Sequence, residues 1–237
     1  MVLFMKKIHN NFLKPSQQQL NILLEYYQAG RYVDAERLSL SITQEFPKHQ
    51  FAWKVLAVLL KQNGRISESL IVSQKSVQLD PQNAEAHNNL GVLLQEQGKL
   101  GEAEKSHRKA IELKPDYAEA YYNMGSALND KDDVEAAIDS YKQALKIKPD
   151  YAEAFNNMGV ALKDKGDLEA AIDSFKQALK IKPDYAEAFN NMGTALNDNG
   201  DLDAAVGSYQ KALKIKPAHA EAFKNMGDAL NDKGDLE

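Results

Sequence analysis

Asparagines 89, 123, 157, 191 and 225 stand 34 residues apart, and their side chains are the ones best suited to recognising another chain. An asparagine amide carries both a donor and an acceptor, so it can pair with a peptide's N–H and C=O at once. Five at a constant step would form a ladder for an extended polypeptide, gripping its backbone with little regard to its sequence. The same amides could instead bridge neighbouring helices. Asn88, Asn156 and Asn190, each one residue earlier, are candidates for the same contacts.

Covalent chemistry finds less support. There is no cysteine, hence no thiol nucleophile, disulfide or zinc knuckle. No glycine-rich phosphate loop, HExxH or GxSxG motif occurs. The five histidines (9, 49, 87, 107 and 219) are scattered. His87 and His107 could meet across one helix pair, but they lack a third ligand. The many Asp and Glu recur with the 34-residue step, as surface residues do and a unique catalytic dyad does not. Neither an enzyme nor a cofactor or metal site is expected.

The elements that position these residues follow from the same period. Pro81, Pro115, Pro149, Pro183 and Pro217 are also 34 residues apart, and residues 118–151 and 152–185 differ at only seven positions. A chain built this way is a stack of small units rather than a globule around one core. The frame gives full units 16–49, 50–83, 84–117, 118–151, 152–185 and 186–219, a partial one at 220–237, and an extension over residues 1–15. Within 152–185, Phe155, Met158, Gly159 and Leu162 have helical i, i+3, i+4, i+7 spacing. Gly166-Asp167 breaks the pattern. A second helix then turns Leu168, Ala171, Ile172, Phe175, Ala178, Leu179 and Ile181 inward, and Pro183 ends it. Asp184 with Glu187 reads as a capping box for the next helix, repeated at Asp116/Glu119 and Asp150/Glu153. Gly159, Ala171 and Ala178 are the small residues where helices can approach closely.

These units resemble the tetratricopeptide repeat. Glycines 91, 125, 159, 193 and 227 hold the family's glycine in the first helix, and alanines 103, 137, 171 and 205 its alanine in the second. Tyr141, Phe175 and Tyr209 fill its aromatic slot, and the prolines close each unit. His107 replaces the aromatic, Asp132 replaces the turn glycine, and Leu23 and Ala57 replace the helical glycine in the first two units. The resemblance implies an all-α, right-handed superhelical solenoid of stacked antiparallel helix pairs, with first helices lining a concave groove. It makes the asparagine ladder a peptide site, as in the repeat region of O-GlcNAc transferases, to which this stretch is similar. The family's other groove, a lysine and asparagine clamp for a chaperone's C-terminal carboxylate, would use Asn88, Tyr122, Asn156 and Asn190, then Val92, Ser126, Val160 and Thr194. Apart from Lys224 its lysines are missing, so a chaperone-tail adaptor is not expected.

Charge narrows the partner. Glu119, Glu153, Glu187, Asp130, Asp164 and Asp198 flank the ladder, which favours an extended polar or basic segment, although the glutamates also suit helix starts. The net charge of -5 speaks against nucleic acid. Lysines 142, 146, 148, 176, 180, 182, 214 and 216 on second helices read as a solvated face, with acidic residues interspersed. No stretch approaches the roughly 20 apolar residues that span a bilayer. Residues 1–8 place apolar residues before the lysines, the reverse of a secretory signal, so a soluble cytoplasmic protein without membrane contact is expected.

Residues 231–237 open a second helix that the sequence does not complete. Phe223, Met226 and Leu230 are therefore expected to form an exposed apolar strip, either in a piece of a longer protein or at an end that mates with another molecule. Three roles follow: a peptide-binding scaffold, the substrate-recruiting arm of a glycosyl- or sulfotransferase, or an array that self-associates through this edge as a homo-oligomer.

Overall fold

The computed structural model describes residues 14–234, and every regular element among them is an α-helix. The chain divides into two compact units, Met1–Pro115 and Asp116–Glu237. The first holds α1 (Gln17–Gln28), α2 (Tyr32–Glu45), α3 (Gln50–Gln62), α4 (Ile66–Leu79), α5 (Ala84–Glu96) and α6 (Leu100–Leu113). The second holds α7 (Ala118–Asn129), α8 (Val134–Ile147), α9 (Ala152–Asp164), α10 (Leu168–Ile181), α11 (Ala186–Asp198), α12 (Leu202–Ile215) and α13 (Ala220–Lys233). In each unit, consecutive helices pack side by side. In the second unit the first helices α7, α9, α11 and α13 also touch one another in succession.

Four pairs, α5–α6, α7–α8, α9–α10 and α11–α12, are locked where the sequence places glycine opposite a ring. A methyl group on Gly159 would stand 2.7 Å from the buried Phe175 ring, and one on Gly193 would stand 2.6 Å from Tyr209. Gly125 meets Tyr141 in the same way, and Gly91 meets His107. The ring therefore packs directly against bare backbone, and Ala137, Ala171 and Ala205 on the second helices are fully buried.

The turns inside pairs need a left-handed residue. Gly98, Gly166 and Gly200 supply it with φ between 70° and 89°. Asp132 adopts φ 62° at the corresponding place, the only described non-glycine residue with positive φ.

Two local expectations are corrected. The N-caps of α7, α9 and α11 are Tyr117, Tyr151 and Tyr185, with no side-chain cap bond, so Asp116, Asp150 and Asp184 do not form capping boxes. The aspartate falls one residue early, in the turn after proline, and the tyrosine is committed elsewhere: Lys148 lies 4.3 Å from the Tyr151 ring centroid and Lys182 4.5 Å from that of Tyr185. Aspartate capping occurs at the second helices instead, where Asp133, Asp167 and Asp201 accept from the N–H of Ala136, Ala170 and Ala204. Ile181 does not face inward. It is 38 % exposed, as is Ile147 at the equivalent place.

Candidate functional site

The two asparagine columns occupy different layers. Asn88, Asn156 and Asn190 are buried, whereas Asn89, Asn123, Asn157, Asn191 and Asn225 are half-buried on the first helices. The first three therefore have no surface to offer a peptide, and the expectation of direct contact is corrected for them.

Their amides hold neighbouring repeats together. In the second unit, Asn191 Nδ2 donates to Asn156 Oδ1 at 3.1 Å and Asn225 Nδ2 donates to Asn190 Oδ1 at 3.2 Å. Asn156 Nδ2 passes on to Asn157 Oδ1 at 3.1 Å, and Asn157 Nδ2 donates to the Tyr122 hydroxyl at 3.1 Å. A continuous relay thus runs from α11 through α9 to α7. Thr194 supports the separate Asn225–Asn190 bond, with its Oγ1 3.5 Å from Asn225 Nδ2 and 3.4 Å from the Tyr209 hydroxyl.

Tyr122 takes the place of an asparagine in the buried column. Its ring lies 5.0 Å from Tyr151 and 6.0 Å from Tyr141, centroid to centroid. Burial, with Glu153 nearby, pushes its hydroxyl above the usual tyrosine range, so it stays neutral. A tyrosine substituting for an asparagine gave no hint in the sequence that it accepts the same bond.

In the first unit the buried column is used differently. His107 Nδ1 lies 2.9 Å from Asn88 Oδ1, so the imidazole donates its N–H to the amide oxygen. Burial holds the His107 pKa down to about 4, and Nε2 is buried with no partner. His87 Nε2 instead faces the Pro81 carbonyl at 3.0 Å, so the two histidines spend their polar atoms apart. Among the described residues no group of three His, Cys, Asp or Glu is placed to hold a metal.

Of the flanking acids, Glu119 and Glu187 are exposed, as are Asp130, Asp164 and Asp198. The glutamates sit in the first turns of α7, α9 and α11, where a negative charge favours the helix dipole. Glu153 pairs with Lys182 at 3.4 Å and Asp164 with Lys163 at 3.2 Å. Several second-helix lysines have acidic neighbours one turn away, Asp139 for Lys142 and Asp173 for Lys176. At the C-terminal end of the described chain, Phe223 is 65 % exposed, while Met226 and Leu230 are half-buried. Met226 packs against Ala205, Tyr209 and Ala229, so the expected strip narrows to Phe223. Among the described residues no helix is long and apolar enough to cross a membrane.

The repeat geometry agrees with family models: a TPR repeat model matches residues 59–98, 125–166, 161–200 and 193–234, and a tetratricopeptide repeat model matches 84–117. The chain belongs to the tetratricopeptide repeat family. Proteins of this family are generally scaffolds for other proteins. No curated protein matches this tetratricopeptide chain in sequence. Among solved structures it is similar to a chain of the APC/C hetero-tetramer Cut9-Hcn1, with TM-score 0.78 and 19% identity over 90% of this chain and 42% of that one. It therefore spans less than half of that relative. YrrB, described as a TPR protein with an unusual peptide-binding site, gives TM-score 0.61 and 22% identity, covering 78% of this chain and 96% of YrrB. MamA gives TM-score 0.62 and 29% identity, covering 70% and 97%.

Proposed function

We propose that this chain is a scaffold that holds an extended, polar or basic segment of a partner protein along its first helices. Asn123, Asn157, Asn191 and Asn225 make the backbone contacts in the second unit, and Asn89 is the matching residue in the first. The observation that carries the reading is the inter-repeat bond of Asn191 and of Asn225. An amide has two N–H groups and a carbonyl, and this bond occupies one N–H. In Asn191 the remaining N–H and the oxygen, and in Asn225 the oxygen, since its second N–H faces Thr194 Oγ1, are held in a fixed orientation by that bond, which lowers the entropy lost on binding. The exposed carboxylates of Glu119, Glu187 and Asp198 on the same helices favour cationic side chains between the backbone contacts.

Fluorescence anisotropy with a labelled peptide of alternating lysine and serine tests this. Asn191→Ala with Asn225→Ala should weaken binding roughly ten-fold, as two lost hydrogen bonds imply, with helicity retained. Equal affinity of the double variant and the parent would sink the reading.

The exposure of Phe223 favours a second reading, self-association through α13. Sedimentation at rising concentration decides it: a mass that grows in the parent but not in Phe223→Ser supports association, and a constant mass removes it.

A further inference from the structure

An open cleft of about 480 Å³ lies in the first unit between α3 and α4, lined by Trp53, Ile71, Gln74, Lys75 and Gln78. Its surface is mostly apolar, and Ile71 is 67 % exposed. Helix packing does not demand an aliphatic residue there: one, two and three repeats on, the position holds Lys105, Asp139 and Asp173, all exposed. Val33 and Leu40 on α2 are exposed as well, and three repeats on their positions hold Glu135 and Lys142. The first two repeats thus show water aliphatic side chains where later repeats show it charge, the mark of a surface meant to be covered. The Trp53 indole N–H donates to the Pro47 carbonyl at 3.0 Å, which fixes the half-buried ring at the cleft.

The charge at the cleft is positive and uncompensated. Among the described residues that line it, Lys75 alone is charged, and its ammonium donates to the neutral Gln78 amide at 2.9 Å. The acids at the starts of the neighbouring second helices are already committed: Asp34 pairs with Arg31, and Glu36 and Glu68 both pair with Arg65. Arg37, the residue of α2 that matches Ile71, is exposed and has no carboxylate partner. This surface is therefore apolar and cationic, the opposite of the acidic first helices of the second unit.

We propose that the Trp53–Ile71 cleft docks an acidic amphipathic segment of a partner protein, with an apolar side chain between Trp53 and Ile71 and a carboxylate on Lys75. Covering Ile71 and the exposed part of the indole removes apolar surface from water, which supplies the affinity. The lysine supplies the preference, since a cationic segment would meet like charge at the cleft edge. An aromatic held rigid in a concave site loses little freedom when a side chain packs on it, as anchor points of interfaces require. The chain then carries two surfaces of opposite taste, and one partner does not compete for the other's place.

The full chain carries its own reporter, since Trp53 is the only tryptophan. The probes are an acetylated peptide of alternating Glu-Glu and Leu-Leu pairs and its analogue with lysine for every glutamate. The acidic peptide should shift Trp53 emission to the blue and saturate, and the lysine analogue should not. Ile71→Asp should weaken the acidic peptide roughly ten-fold, as loss of one buried aliphatic contact implies, with the helical signal unchanged. Lys75→Glu should turn the preference toward the lysine analogue. An excess of the lysine–serine peptide used for the groove should leave the shift in place. Absence of any shift with the acidic peptide would overturn the proposal, as would equal response to both peptides or a response that survives Ile71→Asp. A shift with vesicles of anionic phospholipid but not with the peptide would overturn it in favour of a membrane surface. A shift that grows with protein concentration alone would overturn it in favour of a second copy.

Discussion

Asn191 donates its side-chain N–H to the Asn156 oxygen at 3.1 Å, joining residues 35 apart on adjacent first helices. The offset is one more than the repeat, so the half-buried asparagine of one unit reaches the residue of the inner column in the unit before it. Asn225 with Asn190 and Asn157 with Tyr122 keep the same offset.

Asn191→Ala should therefore cost stability as well as affinity. Removing the donor leaves Asn156 Oδ1 without it inside the helix layer, a loss of about 1–2 kcal/mol. Urea unfolding followed by circular dichroism measures it, and Asn191→Asp, which supplies no N–H, should lose a comparable amount.

Gly159→Ala should destabilise in spite of alanine's better helix propensity. The new methyl would meet the fully buried Phe175 ring at 2.7 Å, and overpacking of this kind costs about 1–3 kcal/mol. Phe175→Leu with Gly159→Ala should cost less than the sum of the two single changes, because the contact they share is gone. Thermal melts of the four proteins close the cycle.

His107 should make the first unit acid-sensitive. Its pKa falls from about 6.5 unfolded to about 4 folded, because the buried ring resists charging. A histidine depressed in this way leaves stability intact above pH 6.5. Below that the unfolded state binds the extra proton and stability declines until about pH 4, by roughly 3 kcal/mol in total. His107→Phe, matching Phe175 in the equivalent slot, should remove this part of the pH dependence. Hydrogen exchange of the α5 and α6 amides between pH 7 and pH 4 reads it locally.

Asp132→Gly should stabilise the second unit. Asp132 holds φ 62°, a left-handed conformation that costs a side-chain-bearing residue about 1 kcal/mol, less for aspartate than for most. A rise in urea midpoint of the glycine variant is the expected result, and a fall would show that the aspartate side chain compensates locally.

Much of this arrangement was legible before any coordinates. The period of the prolines marks the pairs, and glycine in one helix with an aromatic in the next anticipates the lock at Gly159 and Phe175. The asparagine bridge was foreseeable only as an alternative, because a sequence shows the repeat of 34 but not which neighbour sits across a 35-residue offset. Tyr122 was invisible for the same reason: its hydroxyl replaces an amide oxygen by position, not by type. The capping boxes failed because Asp184 and Glu187 have the right spacing while the helix begins one residue later than that spacing assumes.

The hydroxyl of Tyr122 already accepts from Asn157, and Asn157 and Asn191 occupy the same place in successive repeats. If residues 152–185 were lost as a block, Asn191 would arrive opposite Tyr122 and find an acceptor waiting. Gain or loss of one whole repeat by unequal recombination between such similar segments would thus leave no amide stranded, whereas removal of half a repeat would strand several. The hydrogen-bond offset makes the length of this protein a heritable variable that changes in units of 34.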